Sequence, residues 1–405
     1  MPKEMAVVIT HGKGSKAYDD KGREYIDYLM GSGAVLLGHA HPKLTKAVRN
    51  QLDKGSTFFC INPAAILLAQ ELVKAIPCAE KLRFTGSGSE AILYAIRLAK
   101  AYSGREKILK FEGAYHGSSD YGVMSLSPKQ LLDFPLAEPT SAGICRGIRE
   151  EVLIAPFNDL ETTTRIIEHH ARSLAAVIVE PIQRCTPPDR GFLEGLRAVT
   201  RERDILLIFD EVVTGFRLAY GGAQEYYGVI PDLATYGKGM SGGYAIGAVC
   251  GRAEILDLCD EAKKDDERFV WHVGTLNGNP IAAAACLATL AELREPGTYE
   301  RFHALGRELR AGFRNLLLEM NIPGQVLGEG PLCQVLFAKE KVMDYRTAAK
   351  ADTAKTFEFM MGMFMSGIFL RPDGTKLYLS LAHTDEDIKR THDIARTVLH
   401  QMHEK

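Results

Sequence analysis

The sequence lacks any apolar run long enough to cross a bilayer. Across its 405 residues, charge or glycine interrupts every hydrophobic stretch well before the roughly 18 residues a spanning helix requires. The N-terminal MPKEMAVVITHGKG has too short an apolar stretch for a secretory signal, so a soluble cytoplasmic protein is expected. Basic runs are also missing. With a formal net charge of −2 and Lys and Arg scattered throughout, no segment suggests a nucleic-acid or anionic-membrane surface. None of the eight cysteines (Cys60, Cys78, Cys145, Cys185, Cys250, Cys259, Cys286, Cys333) forms a C-x-x-C pair, which argues against a zinc ribbon or a thioredoxin-type motif. Several sit in apolar surroundings, as Cys250 and Cys286 do, and reduced, buried thiols follow. No G-x-G-x-x-G follows a first strand with an acid further on, which sets aside a nucleotide-binding dehydrogenase.

What is present is an ordinary globular composition, 46% apolar and 25% charged, in a chain long enough for two or three domains. Residues 17–29 read as a hairpin around a DDKG turn. Helices are predicted over 43–53, from Pro63 to about Ile76, and over 89–102, 193–203, 279–294 and 298–320. From about residue 80 short apolar strands alternate with amphipathic helices, which predicts an α/β domain with a largely parallel sheet. The strands at 174–180 and 205–210 are almost continuously apolar until an acid ends each, as in strands buried on both faces. The last hundred or so residues mix strands (325–328, 333–337, 367–371, 377–382) with helices near 353–366 and 385–403, and read as a smaller α+β domain. Thr384 and Asp387 resemble a capping box for the final helix.

The chemistry centres on Lys238, in YGKGMSGG. A lysine between glycines reads equally as a solvated loop residue; FDEVVTGFR upstream changes the balance. Asp210 ends a buried strand, where a bare carboxylate is costly unless a cation meets it, and ligands bind at the carboxyl ends of parallel strands. Asp210 and Val212 would face the same side if the strand ran on through them. An acid facing a pyridinium nitrogen, beside an apolar side chain packed on the ring, suits pyridoxal phosphate, because the carboxylate keeps that nitrogen protonated and the ring an electron sink. Ser87, Gly88 and Ser89 stand where a loop enters a helix, a phosphate site by geometry or a plain N-cap. Tyr115 could stack on a planar ring or belong to the core, and its neighbour His116 could be structural. Thr275, in VGTLNGNP, is a further phosphate contact or part of a plain turn.

The succession SGSEA, GAYHG, EP, DEVVTGFR, lysine, GTLNGNP resembles the class III aminotransferases of fold type I. Within that class EYIDYLMGSG, GHAHP, KILKFEGAYHG, GFLEGLR and SLAHTDEDI are similar to the glutamate-1-semialdehyde aminomutase branch. The resemblance covers nearly the whole chain. It implies a large cofactor domain over 56–290 with a mostly parallel seven-stranded sheet, and a small domain from residues 1–55 and 291–405. It implies a homodimer in which Thr275 serves the partner's phosphate. It further implies Lys238 as the Schiff-base lysine, Asp210 as partner of the ring nitrogen, Tyr115 and Val212 on the two ring faces, Ser87–Ser89 as phosphate cradle, and Glu180 near the ring hydroxyl.

The departures concern substrate. Where the aminomutases usually have Gly-Ser-Trp-Gly, this chain has Gly31-Ser32-Gly33-Ala34, so an indole is gone beside Ser32. The EPIVGN-type loop is EPIQRCTPPDRG, shorter up to Gly191 and without the Asn. The QFEAG-like stretch is Asp373-Gly374-Thr375-Lys376-Leu377. Glutamate-using members of the class have an arginine about where Tyr378 stands; Arg217 and Arg371 are the nearest carboxylate clamps here, each with a structural ion pair as the alternative. These changes favour an aminotransferase between an amine or amino-acid donor and a carbonyl acceptor over an aminomutase. Retention of both Lys238 and Asp210 argues against a catalytically silent scaffold. Residues 117–150 are placed where a mobile lid would suit.

Overall fold

The computed structural model describes residues 6–370, 374 and 376–403. Seven strands form the central sheet and are numbered here along the chain: β1 (Lys81–Thr85), β2 (Lys107–Phe111), β3 (Val152–Ala155), β4 (Leu174–Val179), β5 (Leu206–Asp210), β6 (Leu233–Tyr236) and β7 (Gly247–Gly251). Across the sheet they lie in the order β1-β7-β6-β5-β4-β2-β3. Only β7 is antiparallel to its neighbours; the other pairings are parallel. Parallel neighbours require crossovers, and the helices Gly88–Ser103, Leu160–His170 and Phe192–Glu202 lie between successive strands as the alternating pattern predicts.

Every residue of β4 and β5 is buried, which explains why neither shows a polar/apolar alternation. At about 1.5–3 kcal/mol for each large apolar side chain taken from water, these strands are the rigid base of the molecule. The carboxyl ends of β4, β5 and β6 lie side by side, and Glu180, Asp210 and Lys238 stand at or just beyond them.

The terminal parts of the chain interleave. A four-stranded sheet joins Ile9–Lys13, Lys16–Asp19 and Glu24–Asp27 to Ile368–Phe369, and a three-stranded sheet joins Gln325–Leu327, Leu332–Leu336 and Lys376–Tyr378. The predicted hairpin closes on Asp19, whose Oδ1 accepts from the Lys21 and Arg23 amides at 3.0 and 2.8 Å. The capping box at the last helix is reciprocal: the Asp387 amide donates to Thr384 Oγ1 (3.1 Å) and the Thr384 amide to Asp387 Oδ2 (3.2 Å). Asp387 also accepts from Ser15 Oγ at 2.7 Å and pairs with Lys16, so one carboxylate ties the C-terminal helix to the N-terminal strands.

Four strands of the central sheet, β1, β3, β6 and β7, were not evident from periodicity. They have four or five residues each and are additional to the strands read at 107–111 (β2), 174–180 (β4) and 205–210 (β5). β7 is bounded by glycine for a steric reason: a Cβ on Gly247 would fall 2.4 Å from the Ser87 carbonyl oxygen.

Lys110, on β2, is fully buried, and its Nζ donates to the carbonyls of Ala114 (3.0 Å), Gly122 (2.8 Å) and Met124 (2.6 Å). Three carbonyls require all three ammonium protons, although burial pushes this lysine down to about 7. The stretch after Tyr115 is thereby clipped to the sheet, and Arg346 ties it again through Glu112 (2.7 Å) and the Leu132 carbonyl (2.5 Å). Lys110→Met leaves the Ala114 and Met124 carbonyls without this donor and Gly122's with only the His116 amide at 3.5 Å, and is expected to lower unfolding free energy by about 2–4 kcal/mol, read by urea titration. An unchanged midpoint would rule out the clip.

Candidate active site

The side chains at the ends of β4, β5 and β6 converge on one cavity of about 220 Å³, lined among others by Ser32, Ser87, Gly88, Ser89, Tyr115, Glu180, Asp210, Val212, Lys238 and Tyr378. Asp210, 5% exposed, has three donors. His116 Nδ1 lies 2.8 Å from Oδ2, the Val212 amide 3.1 Å from Oδ1, and Thr235 Oγ1 3.5 Å from Oδ1. β5 ends at Asp210 itself, so Val212 reaches the cavity through the turn that follows and not by strand alternation. Glu211 points away from it and accepts from Thr214 Oγ1 (2.7 Å) and the amides of Ala223 (2.8 Å) and Gln224 (3.1 Å), fixing that turn.

Lys238 follows β6 at φ 38°, a left-handed conformation that its surroundings must impose. Burial depresses its pKa below the ordinary lysine range; Asp210 and Glu180 oppose that shift, and Arg217 and Arg184 add to it. Ser87 caps the helix Gly88–Ser103, accepting from the Glu90 amide at 3.3 Å, so the N-cap reading holds. A cap does not use up the helix end, because the N–H groups of the first turn have no intrahelical acceptor. Gly88 allows close approach: a Cβ there would lie 2.9 Å from Val212 Cγ2. Tyr115 is 37% exposed and borders the cavity, so it is not a core aromatic, and its amide donates to Glu180 Oε2 at 3.3 Å.

Other sequence-derived candidates fall differently. Ser32 lines the cavity at φ 58°. Arg217 is buried and, among the described residues, has no carboxylate partner, which overturns the ion-pair alternative; its Nε donates to the Val213 carbonyl at 2.8 Å, one Nη binds the Gly33 carbonyl, and Nη1 has no partner. Its guanidinium lies 5.4 Å from the ring centroid of Tyr378, a residue of the cavity wall, and burial pushes it down to about 10. Arg371 lies outside the described residues. Thr275 does not border this chain's own cavity; it is exposed, and its carbonyl accepts from Thr57 Oγ1 at 3.4 Å. Sequence reasoning missed His116 as the partner of Asp210, and Arg184 and Lys376 as parts of the wall. For His116 the signal was its place beside Tyr115; for Arg184 it was the altered EPIQRC loop.

The sequence matches the aminotransferase class-III family over residues 2–399. The chain is a class III aminotransferase. It is 40% identical over 392 residues to a glutamate-1-semialdehyde 2,1-aminomutase of Methanothermobacter thermautotrophicus, covering 96% of this chain and 91% of that one. The structure of an omega-transaminase from Sphaerobacter thermophilus superposes with a TM-score of 0.92 at 35% identity, over 97% and 91% of the two chains. A transaminase solved with pyridoxal phosphate bound gives 0.88 at 29% identity, over 98% and 91%. This aminotransferase therefore has the fold type I architecture and is a pyridoxal-phosphate enzyme. Its residues fit that cofactor. A buried carboxylate suits a cation, a helix start free of intrahelical acceptors opens on the same cavity, and among the described residues His116 Nε2 is buried without a partner.

Asp210→Asn keeps the shape and removes the charge. We expect kcat to fall by about 10³-fold or more, with Tm within a few degrees of wild type. Retention of more than a tenth of the activity would show that the carboxylate does not govern the cofactor ring.

Proposed function

We propose that this aminotransferase moves an amino group from an amine or amino-acid donor to a carbonyl acceptor in two half-reactions, with Lys238 as the lysine that holds the cofactor and then shuttles the proton. The convergence of Asp210 and Lys238 from adjacent strand ends carries this reading. In it Asp210, oriented by His116, keeps the ring nitrogen charged; Tyr115 and Val212 flank the ring; Ser87, Gly88 and Ser89 cradle the phosphate; and Glu180 stands on the hydroxyl side. The bound cofactor supplies the electron sink that makes the proton on the amine-bearing carbon acidic. Lys238, depressed by burial, is neutral at lower pH than an ordinary lysine and can take that proton. Ser32 and Arg217 belong to the substrate side, Arg217 through its unpaired Nη1, and Arg371 is kept there from its place in the sequence.

A second reading, intramolecular transfer as in a glutamate-1-semialdehyde aminomutase, is favoured by the 40% identity to a relative of that name. Against it stands the Gly31-Ser32-Gly33-Ala34 segment, which has no indole.

The same proposal includes a homodimer, with Thr275 reaching the partner's phosphate. Its support is an apolar surface around that residue: Phe59 (67% exposed), Ile61 (87%), Trp271 (66%), Val273 and Leu276 all face outward. It also includes a cytoplasmic location, in keeping with eight free cysteines, and the division into a cofactor part over 56–290 and a small part from both chain ends.

The purified protein is expected to show a visible absorbance band that bleaches with one class of amine donor and is lost in Lys238→Ala. A normal band in Lys238→Ala, or none in wild type supplied with pyridoxal phosphate, would refute the assignment. If glutamate 1-semialdehyde or a diamino acid is the only compound converted, the aminomutase reading replaces ours. The rate of bleaching should rise with pH through a midpoint below the about 10.4 of an unperturbed lysine. Light scattering should give twice the 44.6 kDa chain mass, and Thr275→Ala should weaken cofactor retention without altering that mass.

A further inference from the structure

The wall of the cofactor cavity includes two residues, Arg184 and Lys376, that also line a second cavity of about 610 Å³. The second cavity is bordered by Ser127, Gln183 and Thr186 and also by Leu126, Leu336 and Ala348, and is mixed in character. The two spaces thus meet at a pair of cations.

Arg184 is held there by construction. Reciprocal backbone bonds between Gln183 and Thr186 (3.0 and 2.8 Å) close a tight turn whose first central residue is Arg184, at φ 62°. Its Nε donates to the Gly113 carbonyl at 3.0 Å, and its guanidinium carbon lies 5.9 Å from the centroid of the Tyr115 ring. A large side chain in the left-handed region is strained, and glycine would serve a mere turn better. Among the described residues Arg184 has no ion-pair partner. The carboxylates on the wall, Glu180 and Asp210, are committed to the cofactor in the reading proposed above, on which this inference rests.

We propose that Arg184, with Lys376 beside it, receives a carboxylate on the substrate, so that the enzyme selects amino or oxo acids over neutral amines, with the adjoining cavity taking any chain beyond. A guanidinium fork fixed through Nε leaves its Nη groups to grip a carboxylate in two-pronged fashion.

Arg184→Asn is the informative variant, because asparagine tolerates a positive φ and preserves the turn. With 5-aminopentanoate as donor, kcat/KM should fall about 10²-fold, almost wholly through KM, while with pentylamine it should stay within roughly threefold. Glutarate, titrated calorimetrically into the holoenzyme, should bind about 10²-fold more weakly, and Arg184→Lys should recover roughly a tenth to a third of the wild-type affinity. Equal losses with both donors, or undiminished glutarate binding, would overturn the assignment. If no donor at all is processed, the amino-transfer reading fails; the glutarate titration needs no turnover and still decides the role of Arg184.

Discussion

The buried charge of Asp210 is the constraint around which this molecule is arranged. A carboxylate 5% exposed at the end of a strand buried on both faces costs several kcal/mol unless it is satisfied. Its two oxygens draw in a histidine from the segment after β2, an amide from the turn after β5 and a hydroxyl from β6. Segments far apart in the chain are thereby referred to one atom pair. The same charge works against the desolvation of Lys238, so the acid and the lysine cannot be tuned separately.

Around that charge the packing leaves little freedom. Gly88 must lack a Cβ because Val212 closes on it from the turn after β5, and Gly247 must because the Ser87 carbonyl lies against β7. The helix start, Val212 and the antiparallel strand are therefore mutually positioned by contact, and a methyl group at either glycine would displace the helix start from Asp210. Lys110 serves the other side: its three carbonyl acceptors fold the segment after Tyr115 back onto the sheet and so hold Tyr115 at the rim and His116 against Asp210.

Where the chemistry sits was legible because the decisive signals are local. The strands now numbered β4 and β5 are apolar runs stopped by Glu180 and Asp210, and the observed bounds differ from the reading by about one residue. For Val212 the condition for alternation, a strand running on through it, is not met, and the turn after Asp210 brings it to the cavity instead. What escaped were relations set only by tertiary structure. His116 and Asp210 are 94 residues apart, and no periodicity links a loop histidine to a strand end. Arg217 offered itself as a carboxylate clamp or half of an ion pair; here carbonyls hold its Nε and one Nη, which depends on Gly33 folding beneath it, and Nη1 stays unpartnered among the described residues. The four short strands of the central sheet carried no repeat, and the sheet was recovered only through the class the motifs resembled.

The division between cofactor and substrate residues then has an electrostatic consequence. Arg217 and Arg184 both push Lys238 toward its neutral form, against Asp210 and Glu180. Arg184 lines the cavity and Arg217 lies behind Tyr378 of its wall, so on the proposed reading binding and proton transfer draw on the same charges. A substrate carboxylate settling on Arg184 neutralises one of the groups that holds Lys238 down. On the proposed reading the affinity of Lys238 for a proton then rises, by the least of the influences that bear on it. A neutral amine gives no such rise. Selection for an anionic substrate on the proposed reading therefore acts chiefly through binding, and the base feels Arg184 only as the smallest of the influences on it, although the two need never touch.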